Sequence, residues 1–248
     1  MSRFDLNAEE VYEILQKKGI KKLYHANTVA TSRLYLEKEY LLSRQYVEDN
    51  KLYQTSQYTD DKDKLLGIYD DIFLDMVDIH DYLRKPNFYG PFLFVFSSEI
   101  LRSNLFSTVR ITKKNPASWS LSENEDNWYY SEIKDFEIDY MSGNKVLDVG
   151  KMIIIKKTNS KLSLIPHCVE FILDNPNIVV VDHEGKESYI VDVVKKYFYE
   201  VFPVNKYDHI IKSIRHKNVL LKCSCWRKYN YKFKTDINDF RRLFHKTP

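Results

Sequence analysis

The sequence predicts an α+β domain, and three observations carry that reading. Strand-like and helix-like stretches follow one another without regular βαβ alternation, which argues against a doubly wound sheet. Phe92-Leu93-Phe94-Val95-Phe96 is an unbroken apolar run, as expected of a central strand buried on both faces. The chain holds six Gly, none in GxGxxG or GxxxxGK spacing, so the Rossmann and P-loop architectures are disfavoured.

The elements follow in order. Asn7-Ala8-Glu9-Glu10 opens a short helix with Val11, Ile14 and Leu15 at helical spacing, stopped at Gly19. Residues 21–25 read as a strand, 28–39 as a helix, and 41–44 as the start of an extended piece. Residues 45–70 are polar and read as one long loop, a length that in compact domains accompanies function or motion. Residues 71–80 alternate polar and apolar, a strand pattern, and 84–91 form a turn-rich lead into the apolar strand. Further strands are expected at 105–112, 146–156, 168–173 and 177–182, with a loop at 115–130. Helices are expected at 188–201 and 206–216, then two short strands and a terminal helix at 236–246.

The chain has 248 residues, 44% of them hydrophobic, enough for one large domain or two small ones. No apolar run reaches the roughly 18 residues of a membrane span, and Met1–Gln16 lacks the apolar core of a signal peptide. Three Cys, at 168, 223 and 225, make no disulfide framework, so a reducing, cytoplasmic setting is expected.

Charge divides the chain. Residues 195–248 carry 14 Lys and Arg against 4 Asp and Glu, leaving 24 against 31 in residues 1–194. The expected organisation is a catalytic domain at 1–194 and a basic, aromatic-rich extension at 195–248 packed on it. Within the extension, Trp226, Arg227, Lys228, Tyr229 and Lys232 interleave rings and cations. Cations neutralise phosphates and rings stack on unpaired bases, which fits single-stranded nucleic acid. The same rings also suit the core of a small hairpin.

Several residues carry candidate chemistry. His25 ends a strand, where an imidazole can bond a hydroxyl or carbonyl; Asn27 and Thr28 beside it also suit helix capping. The stretch from Asp78 to Pro86 packs His80, Asp81 and Arg84 before the apolar strand, and Arg suits bidentate contact with a diphosphate. Glu170, within Cys168-Val169-Glu170-Phe171, and Glu132, near Trp128, are carboxylates in apolar settings where a raised pKa favours acid or base work. Asp71, Asp75, Asp78 and His80 also fit nuclease-type metal ligands, and Cys223-x-Cys225 with His216 and His245 a zinc site, but the spacing suits neither, so no metal is expected.

Leu23-Tyr24-His25-Ala26-Asn27-Thr28, a helix, then Leu41-Leu42-Ser43-Arg44 resembles the opening of DarT-like ADP-ribosyltransferases. The segment from Tyr82 to Tyr89 before the apolar strand is similar to that family's Arg- and Pro-bearing segment, although Glu39-Tyr40 stands where the family often has Gly, and Arg precedes Pro. CmdT-like antiphage toxins are a related likeness. The resemblance spans roughly residues 21–175. It implies a split mixed sheet and transfer of ADP-ribose from NAD to a base of single-stranded RNA or DNA, in a toxin or antiphage system with an antitoxin partner. It implies NAD contacts from His25, Asn27, Thr28, Arg44, His80 and Tyr89, and catalysis by Arg84 with Glu170 or Glu132, the late strand favouring Glu170. A protein acceptor, or a binding module without enzymatic activity, remains the alternative.

Overall fold

The computed structural model describes residues 2–78, 88–141, 148–156, 160–181, 185–201, 211–215 and 224–247. Helix α1 (Ala8–Lys17) begins where the Asn7 side chain accepts from the amides of Glu9 and Glu10, two of the donors a helix start leaves unpaired. It buries Val11, Ile14 and Leu15, and Gly19 closes it at φ +74°. Strand β2 (Lys22–Asn27) follows. The Thr28 side chain then caps α2 (Val29–Lys38) by accepting from Thr31 N. The residues that read as a cap therefore divide: Asn27 ends the strand and Thr28 caps the helix.

The core is an eight-stranded, mostly antiparallel sheet, so the architecture is α+β. It uses β1 (Leu6–Asn7), β4 (Ile72–Asp75), β5 (Phe92–Ser97), β6 (Thr108–Ile111), β7 (Met152–Ile155), β9 (Cys168–Asp174) and β12 (Ile211–Arg215) besides β2. Its order is β1-β6-β7-β4-β2-β5-β9-β12, with only β9 and β12 parallel. Phe92–Phe96 are all buried, between β2 and β9, as the apolar run predicts.

One junction of this sheet is thin. β2 and β5 pair over six residues, but β2 and β4 register at a single pair, Tyr24 with Asp75. Beyond it, His25 to Asn27 and Ile72 to Leu74 have no mutual register, so the strands part.

Residues 45–70 are not one loop. They fold into α3 (Arg44–Asp49), capped by Ser43 accepting from Tyr46 N, and α4 (Asp60–Leu65). Two small ribbons, β3 (Tyr40–Leu42) with β8 (Lys161–Ser163) and β10 (Val179–Val181) with β11 (Glu187–Tyr189), stand apart from the main sheet. A helix, α5 (Ile133–Asp139), covers ground the sequence reading left unassigned.

The C-terminal part differs most from expectation. Residues 211–215 form strand β12 rather than the end of a helix. The stretch read as two short strands contains α7 (Cys225–Thr235), followed by α8 (Ile237–Phe244). Helix α6 (Ile190–Tyr199) runs across the expected boundary at 194/195. Tyr229, Phe240, Leu243 and Phe244 are buried in the same core as Leu6 and Val11, so α7 and α8 share the main hydrophobic core. Among the described residues, no helix is long and apolar enough to cross a membrane.

Candidate functional site

A cavity of about 840 Å³, counted to its open mouth, lies where β2 and β4 part. β2 supplies His25 and Asn27, β4 supplies Phe73 and Asp75, and the α3–α4 segment supplies Arg44, Gln57 and Asp63. Tyr35, Tyr69 and Tyr89 add aromatic walls.

His25 Nδ1 lies 2.9 Å from the Phe73 carbonyl. A carbonyl only accepts, so Nδ1 carries the proton, and in the neutral ring Nε2 keeps its lone pair. The imidazole thus spans the gap left by the missing backbone ladder. Enclosure in the cavity pushes its pKa below the usual histidine value, and Arg44 adds to this. Asn27 Oδ1 accepts from Thr28 N at 2.9 Å and from Gln57 Nε2 at 3.4 Å, which turns Asn27 Nδ2 toward His25 Nε2, 3.5 Å away.

Arg44 enters from the first turn of α3. Its Nη2 donates to Asp60 Oδ2 at 2.7 Å and to the Thr55 carbonyl at 3.0 Å. Its Nη1 is buried and has no hydrogen-bond partner among the described residues. A buried guanidinium donor without an acceptor carries a desolvation cost that an anionic ligand would offset.

Three carboxyls line the same space. Burial pushes Asp75 up to about 7, with Asp78 adding to the shift. Burial raises Asp63 and Asp71 to about 6 each, although Lys156 Nζ lies 3.2 Å from Asp71. Burial also raises the Tyr35 hydroxyl to about 12 and the Tyr89 hydroxyl further. Next to Tyr89, Gly90 is pressed on the strand end. A Cβ there would lie 2.2 Å from the Asn27 carbonyl oxygen and 2.4 Å from Thr28 N.

Of the residues expected to meet NAD, His25, Asn27, Arg44 and Tyr89 converge on this cavity. Thr28 does not line it. Its side chain is fully buried, caps α2 and donates to Thr55 Oγ1 at 2.8 Å. His80 and Arg84 lie outside the described residues.

The expected carboxylates do not join them. Glu170 shares a cross-strand row with Val95 and Tyr24, whereas His25 shares the next row with Phe94 and Phe171. Successive strand residues face opposite sides, so Glu170 points away from His25; Asp75, registered with Tyr24, shares Glu170's row but lines the cavity where β2 and β4 part. Glu170 instead pairs with Lys22, on its own face, at 2.8 Å. Glu132 stands exposed at the start of α5, also outside the cavity. Of the three carboxyls that line the cavity, the one on a strand of the main sheet is Asp75, which the sequence reading weighed only as a metal ligand. Its alternating strand neighbours marked the strand but not the gap beside it.

The C-terminal residues are distributed differently from an open stacking surface. Tyr229 is fully buried, its ring 5.1 Å from Phe244 and its hydroxyl donating to Asp174 Oδ2 at 2.9 Å. Trp226 is partly buried against the core. The Tyr229 ring is therefore not free to stack on bases. Arg227 is exposed, Lys228 is half-buried and Lys232 is ion-paired with Asp239. Of the imagined zinc ligands, His216 and Cys223 lie outside the described residues, and Cys225 is buried. Among the described residues, no group of three or more His, Cys, Asp or Glu is arranged to hold a metal.

The chain matches no protein-family model and no curated protein.

Proposed function

We propose that the cavity binds NAD and that the protein is an NAD-dependent ADP-ribosyltransferase built on a split-sheet fold of that class. The observation that carries this is the convergence of His25, Asn27, Arg44 and Tyr89, from separate segments, on one cavity that also holds Asp75. The buried Arg44 Nη1 is a donor suited to a diphosphate oxygen.

NAD supplies a ribose–nicotinamide bond that breaks with positive charge developing on the ribose. Asp75 in its carboxylate form stabilises such charge and, near pH 7, accepts the proton of the incoming nucleophile as the new C1′ bond forms. His25, its Nδ1–H held by Phe73, presents Nε2 as an acceptor for a ribose hydroxyl. Arg44 orients the diphosphate, and the tyrosine rings exclude water from the reacting bond. Asp75 takes the role that the resemblance assigns to Glu170 or Glu132.

Release of nicotinamide from NAD, measured for the wild type beside Arg44→Ala and Asp75→Asn, tests this. Both variants are expected to lose at least about a hundredfold in rate, the scale of a removed charge-stabilising group. No NAD binding by calorimetry to the folded wild type would overturn the reading.

A further inference from the structure

The β10–β11 ribbon keeps one edge open. Among the described residues, β10 pairs with β11 alone and joins no larger sheet. Val179, Val180 and Val181 all line a groove, to which β11 gives only Glu187, so the open edge of β10 borders it. Tyr197 of α6, Phe233 of α7, and Ile237, Phe240 and Phe244 of α8 supply the rest of its apolar lining.

The ribbon is bare on one face. Strand residues alternate sides, so Val179 and Val181 share a face with their registered partners Tyr189 and Glu187. Val179, Val181 and Tyr189 are all exposed, Val181 to 67%, and Ile237 on the far side of the groove is exposed as well. Val180, on the opposite face, packs against the main core. Strand edges that carry a charge, a proline or a covering element resist pairing with another chain. β10 is three valines and carries neither charge nor proline.

The charges of the groove indicate which strand fits. Glu187 stands on the ribbon side and Arg241 on the α8 side. Both are exposed, and neither is ion-paired among the described residues. A foreign acidic strand would answer Arg241 and leave Glu187 without a cation. A two-fold interface sets residue i against j and j against i, so a second copy of this chain answers both.

We infer that β10 pairs antiparallel with β10 of a second copy, about a two-fold axis at Val180, joining the two ribbons into one four-stranded sheet. Valine then faces valine across the junction, with no like charges opposed. Neighbouring strands lie about 4.8 Å apart. The second copy's β11 therefore lies roughly twice that distance from β10, across the groove, and its Glu187 meets Arg241. Symmetry repeats the contact. The groove shares no lining residue with the NAD cavity, so the pairing stands apart from the transferase reading.

Sedimentation velocity across the micromolar range, on the full chain, tests this. The wild type is expected to shift from monomer to dimer as concentration rises. Val181→Lys, which puts a charge on the open edge, is expected to abolish the shift. Glu187→Arg and Arg241→Glu are each expected to raise the dimer dissociation constant about tenfold, because two contacts turn from attraction to repulsion. The double variant, Glu187→Arg with Arg241→Glu, is expected to return to the wild-type constant. All three positions are exposed, and thermal melts confirm folding. Loss in the single variants with recovery in the double supports the pairing. A wild type that stays monomeric overturns it, whether or not it captures an acidic peptide. A dimer indifferent to Val181→Lys overturns it too, as do single-variant losses that add in the double.

Discussion

Arg215 holds Asp78 by both prongs of its guanidinium, Nη1 to Oδ1 at 2.9 Å and Nη2 to Oδ2 at 2.8 Å. Its Nε lies 3.3 Å from Asp174 Oδ1, and Asp174 in turn accepts from the Tyr229 hydroxyl. All four residues are buried. The network joins the stretch just after β4 to β9, β12 and α7, and it holds in place the end of the strand that bears Asp75.

Arg215→Met leaves two buried carboxylates without their cation. Removing one partner of a buried pair costs about 3–5 kcal/mol. Urea unfolding is expected to show a loss of that order, with Asp78→Asn losing less because Asp174 remains beside the guanidinium. An unchanged midpoint in Arg215→Met would show that the network contributes no net stability.

Asp75 sets a pH dependence. Its folded pKa, about 7, is raised from the ordinary aspartate value of 3.8, so burial favours the protonated acid. The associated stability is fully present below about pH 4 and is lost as pH rises to about 7, above which it is flat. Asp63 and Asp71, at about 6 each, add losses of the same sign. Asp75→Asn is expected to flatten the fall between pH 6 and 7 in denaturant titrations. In the wild type, nicotinamide release is expected to rise through about pH 7 as Asp75 ionises.

Gly90→Ala tests the wedge beneath the cavity. The new methyl meets backbone atoms of Asn27 and Thr28 rather than a side-chain tip, and Gly90 has φ +151°. A loss of about 1–3 kcal/mol is expected from overpacking alone. Because the displaced backbone carries Asn27, NAD affinity is expected to fall with stability; unaltered melts and affinity would contradict the close approach.

Glu170→Gln separates the β9 carboxylate from the carboxylate that lines the cavity. Its ion pair with Lys22 is partly exposed, so less than about 1 kcal/mol of stability is at stake. Nicotinamide release is expected to stay within about twofold of wild type, the scale of a change that touches no transition-state interaction. A loss matching that of Asp75→Asn would return the catalytic role to β9.

Local signals were legible where one residue type answers one backbone need. The Asn7 cap, the Gly19 stop and the Phe92–Phe96 strand appear where spacing places them. His25 and Arg44, singled out from the sequence, both line the cavity. The place of Asp75 in the cavity was not legible, because it depends on β2 and β4 diverging after one registered pair, which neither strand's own residues encode. That Glu170 lies away from the cavity was not legible either, because the two faces of a strand look alike without its partners, and a register shift between Val95 and Phe96 hides the alternation further. In α7, Trp226, Tyr229 and Phe233 fall at helical spacing, but aromatic residues also favour strands, and that propensity masked the period. The helices at 44–49 and 60–65 are short and polar, too brief to show an apolar stripe.

The thin seam between β2 and β4 has a consequence for how the molecule can be divided. On one side lie β1, β6, β7 and β4, and on the other β2, β5, β9 and β12. The chain crosses from side to side at β1 to β2, β2 to β4, β4 to β5, β5 to β6 and β7 to β9. Neither half is a continuous length of polypeptide. No single cut separates them as fragments, and no transplant can move one without the other. The seam is where the sheet is weakest in hydrogen bonds, yet the connections stitch it shut.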